Sequence, residues 1–403
     1  MSTSLPDAQV IVIGSGAAGL MAAIAAGARA RRNGDVLLIT DGPVGRSNTA
    51  MAQGGLQLPG PGDGPRDAFI HDSLASARVP VDRPRVERFV DHVRPVVERL
   101  MDWGLELERG PDGAPRRRIA GGLSTPRIVG GGSRIGPQLI RVLRRRLSEG
   151  AVVVRDRSRV VDLQPGADRV GITLQDGRRL SGRRVVCCAG GTTWREARRR
   201  GQQGTNPANG NHHLTDLLLA RGLPQVEPVA FQHHPFGLVG TARDGVGVCV
   251  PESINGTAVR LLDRHGRSIG TPRQDRLDLA RRMFAVAEQG DAWPGPDGQP
   301  GIRLTLSELP DGLLERDFPK VWRRLVRAGE THGGRARDVL VFPFLHYQLG
   351  GFRVDLRGNS PLPGLLLAGE MVGGIHGLNR LMGNGLTDSL VHGWLTGAEA
   401  VDG

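Results

Sequence analysis

An α/β fold, built on a mostly parallel sheet and with a second stretch of different composition, is predicted by three observations in the 403-residue sequence. The stretch Val10 to Gly27, VIVIGSGAAGLMAAIAAG, reads as a short β-branched strand, a glycine turn and an alanine-rich helix. Apolar runs bounded by turn residues recur at Asp35–Thr40, Ala151–Val154, Arg159–Leu163, Val170–Leu174 and Val185–Ala189, the last ending at Gly190 and Gly191. From about Phe231 to Phe342 the composition changes to short strands, helices at Arg276–Gln289 and Pro319–Ala328, and a Gly/Pro-rich loop at Gly290–Gly301. The composition change sets residues 231–342 apart from 1–230 and 343–403.

Each glycine of the first turn has a mechanical task. Gly14 allows the tight turn, Gly16 lets a pyrophosphate come up against bare backbone, and Gly19 lets helix and strand pack closely. A diphosphate then rests on the helix N-terminus, so Gly14, Ser15, Gly16, Ala18 and Gly19 are candidate dinucleotide contacts. An acid at the end of the second strand holds ribose hydroxyls in such folds, and Thr40 and Asp41 occupy that corner. Packing helices follow at Arg85–Met101, with Val86, Phe89, Val90, Val93, Val97 and Leu100 at helical spacing, and at Pro137–Leu147.

The net charge of +12 comes almost wholly from arginine, Lys320 being the one lysine. Runs such as Arg144–Arg146 and Arg198–Arg200 lack interleaved aromatics and read as solvated helix faces, so no nucleic-acid partner is expected. A basic surface still attracts anionic ligands. Cys187, Cys188 and Cys249 form neither a disulfide framework nor a metal cluster, which fits a reducing, cytoplasmic setting. His212 and His213 have no third ligand in view, and no metal is expected. Nothing before Val10 reads as a signal peptide, and the glycine turn divides the apolar run Val10–Ala28, so no membrane partner is expected either.

The segment DGPVGRSNTAMAQGG, Asp41 to Gly55, resembles the flavin-contacting loop of the fumarate reductase, succinate dehydrogenase and L-aspartate oxidase flavoprotein family, with its Ser-x-x-x-x-Ala-Gln-Gly-Gly pattern. HYQLGG, His346 to Gly351, and LLLAGEMVGGIHGLNRLMGNGLTDSLVHG, Leu365 to Gly393, are similar to that family's C-terminal signature. The resemblance implies a Rossmann-like, GR2-type FAD-binding domain with an inserted α+β capping domain and without the long C-terminal helical domain. It further implies FAD contacts from Ser47, Asn48, Thr49, Gln53, Gly54, Gly55, Val160, Ala189, Gly190, Gly191, Tyr347, Gly369, Glu370, Asn384, Gly385 and Leu386. Respiratory members carry a histidine, bonded covalently to FAD, where Asn48 stands, so the flavin is expected to be non-covalent.

The implied activity is hydride transfer between flavin N5 and a carbon adjacent to a carboxylate of a small organic or amino acid. Arg380 and His346 match the family positions that bind one substrate carboxylate, where a guanidinium fork and an imidazole N–H suit the anion. FQHHPFG, Phe231 to Gly237, puts His234 at the position that helps hold a second carboxylate. Departures surround it. Phe236 replaces a threonine; in ESINGTA, Glu252 is kept, but Asn255 replaces the arginine that moves a proton and Thr257 replaces a glutamate. Ala120 replaces a glutamate thought to read a substrate ammonium. These departures predict a less charged, more apolar far pocket and a substrate other than succinate or fumarate, with C–C dehydrogenation or reduction favoured. Two other readings are an amino-acid oxidase like L-aspartate oxidase and a non-catalytic flavin-bound binding protein. The electron acceptor stays open among oxygen, a quinone and a reductase.

Overall fold

The computed structural model describes residues 8–403 apart from 131–134, 209–211, 253, 255–256, 271–273 and 328. A seven-stranded sheet runs in the order Val152–Arg155, Val36–Ile39, Ala8–Ile13, Arg179–Cys187, Val170–Leu174 and Val160–Gln164, with Leu365–Leu367 also paired to Arg179–Cys187. The strands nearest Ala8–Ile13 are parallel, and Ile13 is in register with Ile39 on one side and Cys187 on the other. The glycine turn therefore leaves the sheet where three parallel strands end together, the place where such sheets open a ligand crevice.

Side chains of the first strand alternate between two cores. Val10 and Val12 join Leu20, Phe69, Phe89 and Leu139 on one face, and Ile11 and Ile13 join Leu180, Leu218 and Phe352 on the other. Both faces are covered, which explains why the strand reads as one continuous apolar run. The helix Ala17–Gly27 is buried along its whole length and packs against the last helix, Asn384–Asp402. A Cβ on Gly393 would lie 2.4 Å from the carbonyl of Ala18, and one on Gly397 2.2 Å from that of Ala22. Small residues on both helices let the two backbones touch.

The second sheet adds two long strands to the short ones expected. Its six antiparallel strands run Ser268–Gly270, Leu261–Leu262, Pro300–Leu304, Val339–Phe352 and Gln225–Leu238, with Trp293–Pro294 on Pro300–Leu304. Gln225–Leu238 and Val339–Phe352 are each 14 residues long and pair with each other, so the boundaries expected after 230 and 342 fall inside this ribbon. Its polar and glycine residues broke the apolar signal. The loop expected at Gly290–Gly301 contains the strand Trp293–Pro294 and the start of Pro300–Leu304. A helix at Asp63–Ser76 was not anticipated, because Gly64 and Pro65 sit in its first turn and few of its residues are apolar. Among the described residues, no helix is long and apolar enough to cross a membrane.

The glycine turn gives a direct test. A Cβ on Gly19 would sit 1.9 Å from the Gly14 carbonyl, whereas one on Gly16 has no protein atom nearer than 3.6 Å. Gly19→Ala should lower the melting temperature, with a cost of about 1–3 kcal/mol or more. Gly16→Ala should keep the melting temperature and lose flavin from the purified protein. Equal melting temperatures for both variants would show that Gly19 is not a packing position.

Candidate active site

Two cavities meet at the ends of the parallel strands. The first, about 370 Å³, is lined by the glycine turn, Thr40, Asp41, Gly190, Gly191, Trp194 and His212. The second, about 460 Å³, is lined by Gln53, His234, Glu252, Arg276, His346, Tyr347 and Arg380. Asn48, Thr49, Asn206, Glu370 and Ser389 line both, so the two are lobes of one groove.

In the first lobe the Asp41–Gly55 loop is strapped over the glycine turn. Gly45 N–H donates to Ser15 Oγ at 3.0 Å, Ala17 N–H donates to Thr49 Oγ1 at 3.0 Å, and Ser15 Oγ lies 2.9 Å from Thr40 Oγ1. Gly14 has φ +104°, and a Cβ there would fall 2.3 Å from the Cys188 carbonyl, so the turn closes onto the central strand only without a side chain. Arg159 holds the Asp41 carboxylate with two hydrogen bonds of 3.1 and 3.0 Å.

The ribbon builds the second lobe. Bulges near Phe342–Phe344 and Leu345–Tyr347 bring His234 and His346 together, their rings 5.2 Å apart and edge to face. Phe236 N–H donates to His234 Nδ1 at 3.3 Å, which leaves the ring proton of the neutral imidazole on Nε2. Thr205 Oγ1 lies 2.7 Å from His346 Nδ1. Arg380 is 5% exposed, gives Nη1–H to the Leu381 carbonyl at 3.1 Å and lies 4.3 Å from the centre of the Tyr347 ring.

Sequence reasoning missed Arg276. The first residue of the helix Arg276–Glu288, it is held by two hydrogen bonds to Glu252, of 2.6 and 2.9 Å, and one of 3.2 Å to Gln232 Oε1. Gln232, 4% exposed, donates in turn to Asn379 Oδ1 at 3.0 Å and to the Arg380 carbonyl at 2.9 Å. The local signal was an N-cap, Asp275, accepting from Asp278 N–H at 2.9 Å; nothing in an arginine-rich chain marked the next residue as inward-facing.

Burial sets the charge states. It pushes His234 down to about 3, helped by Arg276, and holds His346 well below the ordinary imidazole range, so both rings are neutral near pH 7. Burial and the repulsion of Arg276 lower Arg380 to about 10, and it stays charged. Burial raises Glu252, but the charge and hydrogen bonds of Arg276 outweigh it and leave the carboxyl below its usual value.

Most residues singled out from the sequence line the groove: Gly14, Ser15, Gly16, Ala18, Thr40, Asp41, Ser47, Asn48, Thr49, Ala189, Gly190, Gly191 and Gly369 in the first lobe, and Gln53, Gly54, Gly55, Tyr347, Gly385, Leu386, Glu252, His234, His346 and Arg380 in the second. Glu370 belongs to both. Gly19 and Asn384 do not line it, and the Val160 carbonyl is bonded by the His213 ring. Three pocket residues lie elsewhere. Phe236 is fully buried in a core with Leu238, Val250 and Leu304; Ala120 packs on Leu123, Ile128, Leu381 and Met382; and the Thr257 hydroxyl donates to the Ile254 carbonyl at 2.6 Å. Asn255 lies outside the described residues. The lobe expected to be apolar at its far end has a mixed lining: Val248, Cys249, Pro251 and Met382 stand beside the buried Arg276 guanidinium and its carboxylate partner Glu252.

A family model described as an FAD binding domain matches residues 9–386. The chain is 29% identical to the fumarate reductase flavoprotein subunit of Mycobacterium tuberculosis, covering 98% of this chain and 69% of that protein. It is 32% identical to the L-aspartate oxidase of Mycobacterium leprae, covering 98% and 76%. A quinol fumarate reductase solved with menaquinol superposes with a TM-score of 0.86 at 25% identity, covering 98% of this chain and 71% of that one. The chain binds FAD. The groove fits such a group, since Gln53 Oε1 and Tyr347 OH are buried without a protein partner among the described residues, on residues that line the second lobe.

Acid should destabilise the folded chain through His234. The unfolded ring protonates near pH 6.5, whereas the folded ring resists until about pH 3. Its contribution is present above pH 6.5 and is lost as pH falls toward 3. His234→Gln should flatten the fall in melting temperature over that window; an unchanged slope would place the acid-sensitive group elsewhere.

Proposed function

The chain belongs to the FAD-binding flavoprotein family of fumarate reductases, succinate dehydrogenases and L-aspartate oxidases, and from that premise we propose that it oxidises or reduces a compact carboxylic acid at the carbon beside the carboxylate held by Arg380. That it is an FAD-dependent oxidoreductase follows from its relatives, and the non-catalytic reading falls. The observation that carries the substrate reading is the buried, charged Arg380, whose Nε has no protein partner among the described residues, facing the lobe that adjoins the nucleotide groove. A planar fork with donors to spare fits one carboxylate.

When bound, FAD supplies or takes up the hydride. The protein does the rest. Arg380 orients the acid, and His234 offers Nε2–H to its other end. Three of the five Arg276 N–H groups are taken by Glu252 and Gln232, which leaves two for substrate. The arginine that the resemblance assigns to proton movement, absent at Asn255, is supplied by Arg276. A guanidinium holds its protons too tightly to persist deprotonated, so the transfer is concerted with proton return through the Glu252 pair.

Acceptors at both ends of the acid match this lining better than an apolar tail, and succinate and fumarate return as candidates. The amino-acid reading is less favoured. Glu252, a carboxylate lining this lobe, is already engaged by Arg276.

Stopped-flow flavin reduction and reoxidation across a panel of acids tests the reading. Short diacids should react faster than equally long acids with apolar tails and faster than L-aspartate; the reverse ranking would refute the polar far end. Arg276→Gln should keep flavin and lower turnover about 10²–10⁴-fold. Arg380→Ala should raise KM and lower kcat/KM, again with flavin retained, and wild-type kinetics in either variant would remove that residue from the mechanism.

A further inference from the structure

The first lobe contains a feature that no part of the proposed chemistry uses. Trp194 and His212 stack with ring centroids 5.5 Å apart and planes 7° from parallel, and both line the cavity. Nδ1 and Nε2 of His212 are buried with no partner among the described residues. Burial, with Arg195 nearby, lowers the His212 pKa, so the ring is neutral and presents one donor and one acceptor. A buried imidazole with neither nitrogen bonded is costly unless something else fills the cavity.

Connected contacts locate the pair along the groove. Asp41, at the end of Val36–Ile39, marks the ribose corner of a dinucleotide fold, and Arg159 clamps it. The next residue, Val160, receives the His213 ring on its carbonyl, which ties the start of the helix His212–Ala220 to that corner. Leu214 and Leu218 of this helix are fully buried in the sheet core, so His212 is held on a fixed element.

We propose that the Trp194–His212 pair is the adenine seat of the FAD site, with His212 giving the polar contact and Trp194 backing the ring. Adenine carries both N–H donors and ring-nitrogen acceptors, matching a neutral imidazole, and aromatic faces hold bases by stacking.

Titration calorimetry of flavin-stripped protein with FAD and, separately, with ADP tests this. His212→Phe keeps an aromatic ring and removes its polarity; it should weaken both ligands by the same factor, about three- to tenfold. His212→Gln, with a donor and an acceptor, should recover most of the loss. ADP binding within twofold of wild type in His212→Phe would overturn the assignment, as would a loss confined to FAD. Should His212→Phe fail to fold, Trp194→Leu at the half-buried neighbour decides: weakened ADP with unchanged helix content supports the seat, and wild-type ADP affinity overturns it.

Discussion

Two guanidinium groups share one buried cavity, and much of the site is arranged around their repulsion. Arg276 is neutralised by the two-pronged bond to Glu252. Arg380 has no carboxylate partner among the described residues and faces the Tyr347 ring. The Gln232 amide lies between them, its oxygen accepting from Arg276 and its nitrogen donating to the Arg380 carbonyl. A charge that is buried without a counter-ion is unfavourable, and a ligand carboxylate removes that cost as it binds. Under the proposed function, the unbalanced cation selects anions as well as gripping them.

The sheets explain how groups so far apart in sequence reach the same few ångströms. One ribbon carries Gln232 and His234 on one strand and His346 and Tyr347 on the other, and the pairing Tyr347 to Gln232 fixes their register. The Arg380 loop is stitched from the opposite side: Asn379 Nδ2–H donates to Ser76 Oγ at 3.0 Å, and Leu378 N–H donates to the Ala77 carbonyl at 2.7 Å. Contacts that join the Arg276 helix to the other side through Arg78 are exposed ion pairs with Asp275 and Asp278, worth little by themselves. Gln232 and its ribbon thus hold the two cations in a fixed relation.

The nucleotide half was legible because its demands are local. Gly14 and Gly19 are required by backbone sterics within the turn and its neighbouring strand, and such requirements leave a mark in consecutive letters. The continuous apolar run within Ala8–Ile13 and the parallel strands beside it were legible for the same reason. The ribbon was not. Strands carrying His233, His234, Pro235 and Gly237, with bulges where the register shifts, lose the period of two that marks a strand. Arg276 was hidden by a different cause: its inward orientation depends on Glu252, which is distant in sequence and meets it only in the fold.

Specificity residues transferred by alignment carry the same hazard. Phe236 replaces a polar residue, and this invited the inference of an apolar pocket, yet the ring adds volume to a core with Leu238, Val250 and Leu304 and lines neither lobe of the groove. Thr257 turns its hydroxyl onto the preceding Ile254 carbonyl, a local bond available to threonine in any environment. Neither substitution alters the charge that a ligand meets. That charge is set by whichever cation the topology brings inward, and here a helix N-terminus supplies one from 24 positions beyond Glu252, paired side on with that same carboxylate. A lost arginine in an aligned string therefore does not imply a lost guanidinium in the cavity; the electrostatics of the pocket belong to the fold, and a substitution changes them only where its side chain reaches the lining.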